Sequence, residues 1–204
     1  MNKEGPIVTI IALCYNQAKF CEDTLNSIYN QSYKNIELII MDDFSSDNSV
    51  EKINRWINAH QDISIQFIPH NKNVGICKTL NEALKNAKGK YFELIACDDL
   101  MHPEKTSRQV SYLEATNDSV AMVYTDALLI NDDGSDRYGL FIQRSRDFEQ
   151  LPSGKIYDVL LEENFIPAMS VMIKTAIIKS IGGFDEKLSF EDYDMWLRLA
   201  ENHE

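Results

Sequence analysis

The chain has 204 residues, 44% hydrophobic and 25% charged, with only 8 Gly and 5 Pro. That is the make-up of one globular domain with a sizeable core, and it excludes a collagenous, low-complexity or disordered chain. With 20 Lys and Arg against 32 Asp and Glu the net charge is −12, which speaks against nucleic acid or an anionic membrane as partner and means that a phosphate-bearing ligand needs a bridging cation.

No apolar run reaches the roughly 18 residues of a membrane span; the longest, residues 7–14, is broken by Thr9. Residues 1–6 hold no signal-peptide core. The four cysteines, Cys14, Cys21, Cys77 and Cys97, form no C-x-x-C pair. A reducing, cytoplasmic setting without a zinc site is expected, and the N-x-S triplets at Asn30 and Asn117 are then chance matches.

In chain order, residues 7–13 are a β-branched, almost wholly apolar run, the mark of a strand buried on both faces. Residues 19–30 follow with Phe20, Leu25 and Ile28 at helical spacing. Residues 36–41 form a second buried strand that ends abruptly in Asp42-Asp43. Asp47 and Asn48 cap a helix carrying Val50, Ile53, Trp56 and Ile57. Residues 63–68 alternate and stop at Pro69, a third strand, and residues 75–87 read as a helix with Leu80, Ala83, Leu84 and Ala87 on one face. Residues 91–96 are a fourth strand, again closed by paired carboxylates, Asp98-Asp99. Pro103 opens another helix, where its missing N–H costs nothing, and residues 120–125 are a fifth strand.

Repeated βαβ units demand a mostly parallel sheet with helices on both faces, and ligands of such sheets sit beyond the carboxyl ends of the strands. The second half changes character. Asn131-Asp132-Asp133-Gly134 is a hairpin turn signal, residues 137–147 read as a charged, irregular, mobile loop, and residues 171–173 offer a short strand. Gly182-Gly183 breaks the chain, and residues 192–200 are a final helix with Tyr193, Trp196, Leu197 and Ala200 on one stripe. Without repeat or linker, residues 1–204 are expected to be one domain, with halves of about 1–125 and 126–204.

Two strands end in Asp-Asp, and the topology puts both pairs on one rim of the sheet. Buried carboxylates need partners, and hard oxygen ligands suit Mg²⁺ or Mn²⁺, which bind a diphosphate as well. That reconciles an acidic protein with an anionic ligand. Glu191-Asp192 is a third acidic pair, at a helix start that stabilises the ionised form and keeps a carboxylate ready to accept a proton. There is no G-x-x-x-x-G-K-[ST], G-x-G-x-x-G, H-E-x-x-H or G-x-S-x-G. His60, His70, His102 and His203 are scattered and read as solvated or capping residues, and Trp56 and Trp196 as core.

Several segments, in order, resemble the family 2 glycosyltransferases, which carry the α/β fold called GT-A. Residues 9–16 look like that family's opening strand and its Tyr-Asn turn; residues 30–33 and 37–47 are similar to its "hQSh…EhIhhDDxSxD" segment. Asn73-Val74-Gly75, Leu80-Asn81 and Gly89-Lys90-Tyr91 match the connection to Asp98-Asp99, and residues 182–185 and 191–198 match the last blocks. The resemblance covers about residues 7–200. It implies a mostly parallel, Rossmann-like sheet with helices on both faces and a small antiparallel extension in the second half. It also implies a metal-dependent, inverting transfer from a nucleotide-diphospho-sugar, with UDP-sugar the donor class by analogy. The acceptor would be the hydroxyl of a glycan, a lipid-linked glycan or a protein in cell-surface polysaccharide or glycoconjugate synthesis, at the cytoplasmic side.

By the same resemblance, Ala12, Tyr15, Asp43, Asn73, Gly75, Lys78 and Asp98 would bind the nucleotide. Tyr15 would supply a ring contact and Asp43 a hydrogen bond to the base. Asn73 and Gly75 would let the backbone approach, and Asp98 would lie near the ribose or the metal waters. Asp99 would coordinate Mn²⁺ or Mg²⁺, although the pattern leaves open which of Asp98 and Asp99 does so, because Cys97 precedes them where the family carries an acid. Asp192 would be the general base, with Glu191 beside it. Leu80 stands where many members carry Arg, which leaves Lys78 to supply a phosphate or base contact. Members usually continue past the Glu-Asp helix, so a C-terminally truncated catalytic domain is expected. Two other readings stand beside this one: an inactive nucleotide- or glycan-binding relative, and, more remotely, a phosphoacceptor receiver domain, which lacks here its acidic pair after the first strand and its Lys-Pro.

Overall fold

The computed structural model describes residues 5–134, 137–146 and 148–204. Residues 1–4 and Asp147, parts of the N-terminal and loop expectations, lie outside them. The first strand, β1 (Val8–Cys14), is buried at all of its positions, because it forms the centre of the sheet. It is followed by α1 (Cys21–Tyr29), β2 (Ile36–Asp42), α2 (Ser49–Ala59), β3 (Ser64–Pro69), α3 (Ile76–Asn86), β4 (Tyr91–Ala96) and α4 (Lys105–Glu114). Then come β5 (Met122–Val123), β6 (Leu128–Ile130), β7 (Arg137–Leu140), α5 (Phe141–Ser145) and α6 (Tyr157–Glu162). A 3-10 turn at Ala168–Ser170 leads to β8 (Met172–Lys174), α7 (Thr175–Ser180) and α8 (Asp192–Ala200).

The sheet order is β3-β2-β1-β4-β8-β5, with β1 to β4 parallel and β8 antiparallel to both of its neighbours. Alternation along the strands feeds two cores. Ile11, Leu13, Ile39, Phe92 and Leu94 face α3 and α8, packing on Leu80 and Trp196. Ile10, Ala12, Leu38, Ile40 and Ile95 face the other way, onto Leu25, Ile53, Trp56 and Val110. The chain moves outward from β1 to β3 and then crosses back to place β4 on the other side of β1. The switch point therefore falls between β1 and β4, where open α/β sheets leave a crevice at the carboxyl ends.

Two buried acids tie the layers together below that crevice. Glu93 on β4 takes Lys105 Nζ at 2.6 Å and Thr106 Oγ1 at 2.9 Å, joining α4 to the sheet. Glu37 accepts Thr9 Oγ1 at 2.7 Å and the Lys88 N–H at 3.0 Å. Gly89 is required in that corner: a Cβ on it would lie 2.5 Å from the Thr9 nitrogen.

Four local expectations need correction. Within the expected loop at 137–147, residues 137–145 form β7 and α5, and the Asn131–Gly134 turn closes the β6–β7 hairpin with a 2.8 Å bond. What orders it is distant in sequence: the Asp126 carboxylate accepts the Ile142 and Gln143 N–H groups at 2.7 and 3.2 Å and caps α5. The fifth strand shrinks to two residues because its neighbour β8 offers only a three-residue edge. The buried stripe of α8 is Met195, Trp196 and Leu199, since Tyr193 turns aside to donate its hydroxyl to the Leu160 carbonyl, 2.6 Å away. Pro103 lies in a turn ahead of α4, which starts at Lys105.

Lys105→Met would leave Glu93, 1% exposed, without its cation, and is expected to lower the unfolding free energy by about 3–5 kcal/mol in urea titrations. A loss under about 1 kcal/mol would show that the ion pair is not what fastens α4.

Candidate nucleotide-sugar site

The carboxyl ends of β1, β2 and β4 lie side by side, with Cys14 paired to Asp42 and Leu13 to Ala96. The turns that leave these strands are locked together. Asn16 and Phe44 sit at φ 55° and 70°, a left-handed conformation that residues other than Gly seldom adopt. Interlocking bonds hold them there: Asn16 N–H donates to Ser45 Oγ at 2.9 Å, and Ser46 N–H to Asn16 Oδ1 at 2.8 Å. Tyr15 and Phe44 are left about half exposed at the mouth.

The neighbouring aspartates at the end of β2 have different jobs. Asp42 is fully buried and accepts the Ser45 N–H and hydroxyl at 2.9 and 2.5 Å; it shapes its own turn. Asp43 reaches across to the next connection. Its Oδ1 accepts His70 Nδ1 at 2.9 Å and the Val74 N–H at 2.8 Å, and its Oδ2 accepts the Gly75 N–H at 2.9 Å. Burial pushes the Asp43 carboxyl up, but the His70 bond and the two amide bonds outweigh it and hold the group below the usual carboxylate range. Gly75, at φ 88°, starts α3, and a Cβ there would meet only open space, so its backbone angle, not crowding, calls for glycine. Asn73 adds a 3.3 Å bond to the Asp43 carbonyl.

On the β4 side, Asp98 is exposed and Asp99 partly buried. Thr24 Oγ1 fixes the Asp99 carbonyl at 2.8 Å. Burial, and then the charge of Asp98, push the Asp99 carboxyl up to about 6. Glu191 behaves alike: burial and the neighbouring Asp192 raise it above its ordinary value. Asp192, at the start of α8, is held by the Tyr193 N–H at 2.6 Å and by Asn164 Nδ2 at 2.9 Å.

A cleft of about 520 Å³ is lined by Tyr15, Asp43, Asn73, Gly75, Asp99 and Glu191, together with Cys14 and Gln17. Four predicted residues do not line it. Ala12 is buried inside β1, Lys78 and Asp98 are exposed outside the wall, and Asp192 stands behind Glu191. A second depression, about 440 Å³, lies around Gly183, Asp194 and Arg198; its Arg198 is already paired with Asp194 at 2.7 Å. Among the described residues no three His, Cys, Asp or Glu converge as a closed metal cage. A lone cleft-side carboxylate such as Asp99 instead suits Mg²⁺ or Mn²⁺, which keep waters and take most of their remaining oxygens from a phosphate ligand.

Sequence reasoning missed two participants. His70 is not a solvated histidine: its side chain is 9% exposed, and Nε2 faces Glu82 Oε2 at 3.2 Å. Its position directly after a strand was the available signal. Asn164 had none, because its partner Asp192 is 28 residues away.

A parallel sheet with its switch point between β1 and β4, an acidic cleft above it and a short antiparallel strand inserted beyond β4 is the architecture of the GT-A nucleotide-sugar transferases. The profile of glycosyl transferase family 2 matches residues 9–173, and the chain belongs to that family. It is 32% identical over 197 residues to an uncharacterized glycosyltransferase of Rickettsia bellii, which covers 95% of this chain and 27% of that protein. It is 30% identical over 199 residues to one of Rickettsia typhi, covering 97% and 60%. To the putative teichuronic acid biosynthesis glycosyltransferase TuaG of Bacillus subtilis it is 27% identical over 173 residues, covering 85% and 64%. The chain thus spans less than two thirds of each of the two rickettsial proteins. In fold, it matches the mannosyltransferase PcManGT from Pyrobaculum calidifontis, solved with GDP-Man and Mn²⁺, at TM-score 0.73 with 22% identity, over 97% of this chain and 53% of that one. It matches S. aureus TarS 1–349, solved with UDP-GlcNAc, at 0.66 with 19% identity, over 96% and 53%. Among the described residues no helix is long and apolar enough to cross a membrane.

The raised Asp99 carboxyl gives a stability test. Folded protein keeps this proton up to about pH 6, whereas an unfolded Asp loses it near 4. Between those values the native state binds more protons, so this group makes stability fall as pH rises. With a chelator present, Asp99→Asn is expected to unfold at higher urea than the parent above pH 6 and to match it below about pH 4. A pH-independent difference would refute a desolvated Asp99.

Proposed function

We propose that this chain is the donor-binding catalytic domain of a divalent-metal-dependent, inverting glycosyltransferase that moves a sugar from a nucleoside-diphospho-sugar, UDP-sugar foremost, to an acceptor hydroxyl. The observation that carries this reading is the single cleft that gathers Asp43, Asp99 and Glu191, next to Asp192, at the switch point of the sheet. The family, the GDP-Man and UDP-GlcNAc complexes of its structural neighbours, and the likeness to a teichuronic acid enzyme support it. Cell-surface polysaccharide or glycoconjugate synthesis is the proposed setting, with a glycan, lipid-linked glycan or protein as acceptor.

In this reading Asp43 keeps a lone pair on Oδ2 for an imide N–H of the base, and the exposed Tyr15 ring covers the base or ribose. Asn73 and Gly75 form the floor beneath the nucleoside. Asp99 would hold Mn²⁺ or Mg²⁺ on the diphosphate, with Asp98 and Lys78 outside the wall as contacts to its waters and phosphates. When bound, the ion offsets the charge that develops on the leaving diphosphate. Bond breaking at the anomeric carbon leaves oxocarbenium character, as in glycoside hydrolysis. One displacement from the opposite face inverts that carbon, and a carboxylate takes the acceptor proton. Asp192 is the proposed base, oriented by Asn164 and by the start of α8. Glu191 is a second candidate, favoured by its place on the wall and its raised proton affinity.

Calorimetric titration with UDP, GDP and dTDP, with and without Mn²⁺, tests the donor site. One nucleotide is expected to bind only with the metal and at least about tenfold more weakly to Asp99→Asn, as befits the loss of a charged contact; no binding of any of the three would sink the proposal. Nucleotide release from the donor sugar separates the two acids. The variant lacking the base, Asp192→Asn or Glu191→Gln, should lose about 10²–10⁴ in rate with its nucleotide affinity retained.

A further inference from the structure

His70 follows β3 directly, and its N–H donates to the Asp42 carbonyl at 2.8 Å, which pins its backbone to the end of β2. Its nearly buried ring lies between two acids from different elements: Asp43 Oδ1 at 2.9 Å from Nδ1, and Glu82 Oε2 of α3 at 3.2 Å from Nε2. A neutral imidazole donates from one nitrogen only, while an imidazolium donates from both. Each ring nitrogen of His70 has a carboxylate oxygen within hydrogen-bonding distance. The bond to Oδ1, together with the Val74 N–H on the same oxygen, fixes the rotation of the Asp43 carboxylate and leaves the spare lone pair on Oδ2. His70 itself is absent from the cleft wall, so whatever it does for a ligand passes through Asp43.

We infer that His70 is a positioning residue for base selection: it holds Asp43 as an ionised, fixed acceptor, so that the cleft takes nucleotides whose base offers an imide N–H and rejects those that offer a lone pair there. Uracil and guanine present that N–H; cytosine presents a ring nitrogen acceptor at the matching position, which would face the carboxylate in repulsion. Glu82 supplies the counter-charge from behind. The inference rests on the proposed donor site, and it adds a determinant that neither the motif at Asp42-Asp43 nor the cleft lining contains.

The test compares His70→Asn with His70→Gln, titrated with UDP, GDP and CDP in the presence of Mn²⁺. An Asn amide occupies the place of Nδ1 and can still donate to Asp43; a Gln amide occupies the place of Nε2 and reaches Glu82 instead. His70→Gln is expected to lose about tenfold in affinity for the imide nucleotide while its weak CDP binding stays unchanged, so that discrimination shrinks. His70→Asn should restore most of that loss. A residue that merely supports the fold would lower UDP and CDP binding alike, and both variants would follow their urea midpoints; that pattern overturns the inference. Asp43→Asn is the companion control. If it abolishes discrimination while His70→Gln does not, the donor site stands and the role of His70 falls. If the parent protein binds none of the nucleotides, the donor-site reading falls first.

Discussion

A carboxylate removed from water must be given donors or it surrenders its charge, and the rim of this sheet is organised around that constraint. Asp42 and Asp43 are supplied from within: a serine hydroxyl, four amide or imidazole donors, and turns bent into unusual φ values to deliver them. Asp99 and Glu191 are supplied far less, Glu191 by its own backbone N–H. Both sit on the cleft wall with no internal cation, and both hold their protons more tightly than a carboxyl in water. The acids that the protein satisfies hold the rim in shape, and those with raised proton affinity face the cleft.

The same division runs through the fold. Glu93 and Glu37 are as buried as Asp43, yet their partners, Lys105, Thr106, Thr9 and the turn at Gly89, close them off completely. They fasten α4 and the α3–β4 connection to the sheet well away from its carboxyl ends. This leaves the rim free to be strained and polar, because the layers beneath it do not depend on it. Strain at Asn16 and Phe44 costs on the order of 1–3 kcal/mol each, which a rigid lower sheet can sustain and an isolated turn could not.

The alternation of buried strands and helices was legible from residues 7 to 115 because parallel strands buried on both faces read as continuous apolar runs. The placement of the acid pairs followed from topology alone, and so did the Glu191-Asp192 helix start. Residue type and position alone could not separate Asp42 from Asp43, and only the family resemblance singled out Asp43. Both are strand-end aspartates, and only the three-dimensional register turns one inward to Ser45 and the other outward to Val74 and Gly75. Asn164 was invisible for the same reason, and His70 showed only its place after a strand: their partners come from other elements. Beyond residue 120 the strands are two to four residues long, too short for a period to show, and α5 is ordered by Asp126 from outside its own segment.

The antiparallel strand β8 explains why the second half nevertheless belongs to the site. By pairing Phe92 with Ile173, it brings the preceding 3-10 turn to the cleft, where Ala168 and Met169 join the lining. Asn164, a few residues earlier, then meets Asp192 across 2.9 Å. The same strand carries α7 onward to Gly183, whose carbonyl Arg198 grips at 2.8 Å, and so sets the start of α8 against the end of β4. Glu191 and Asp192 are therefore registered to Asp99 through a three-residue strand. A shift of β8 along β4 would separate Glu191 from Asp99 without touching either, so the geometry between the two halves of the site is held by backbone pairing, not by the acids themselves.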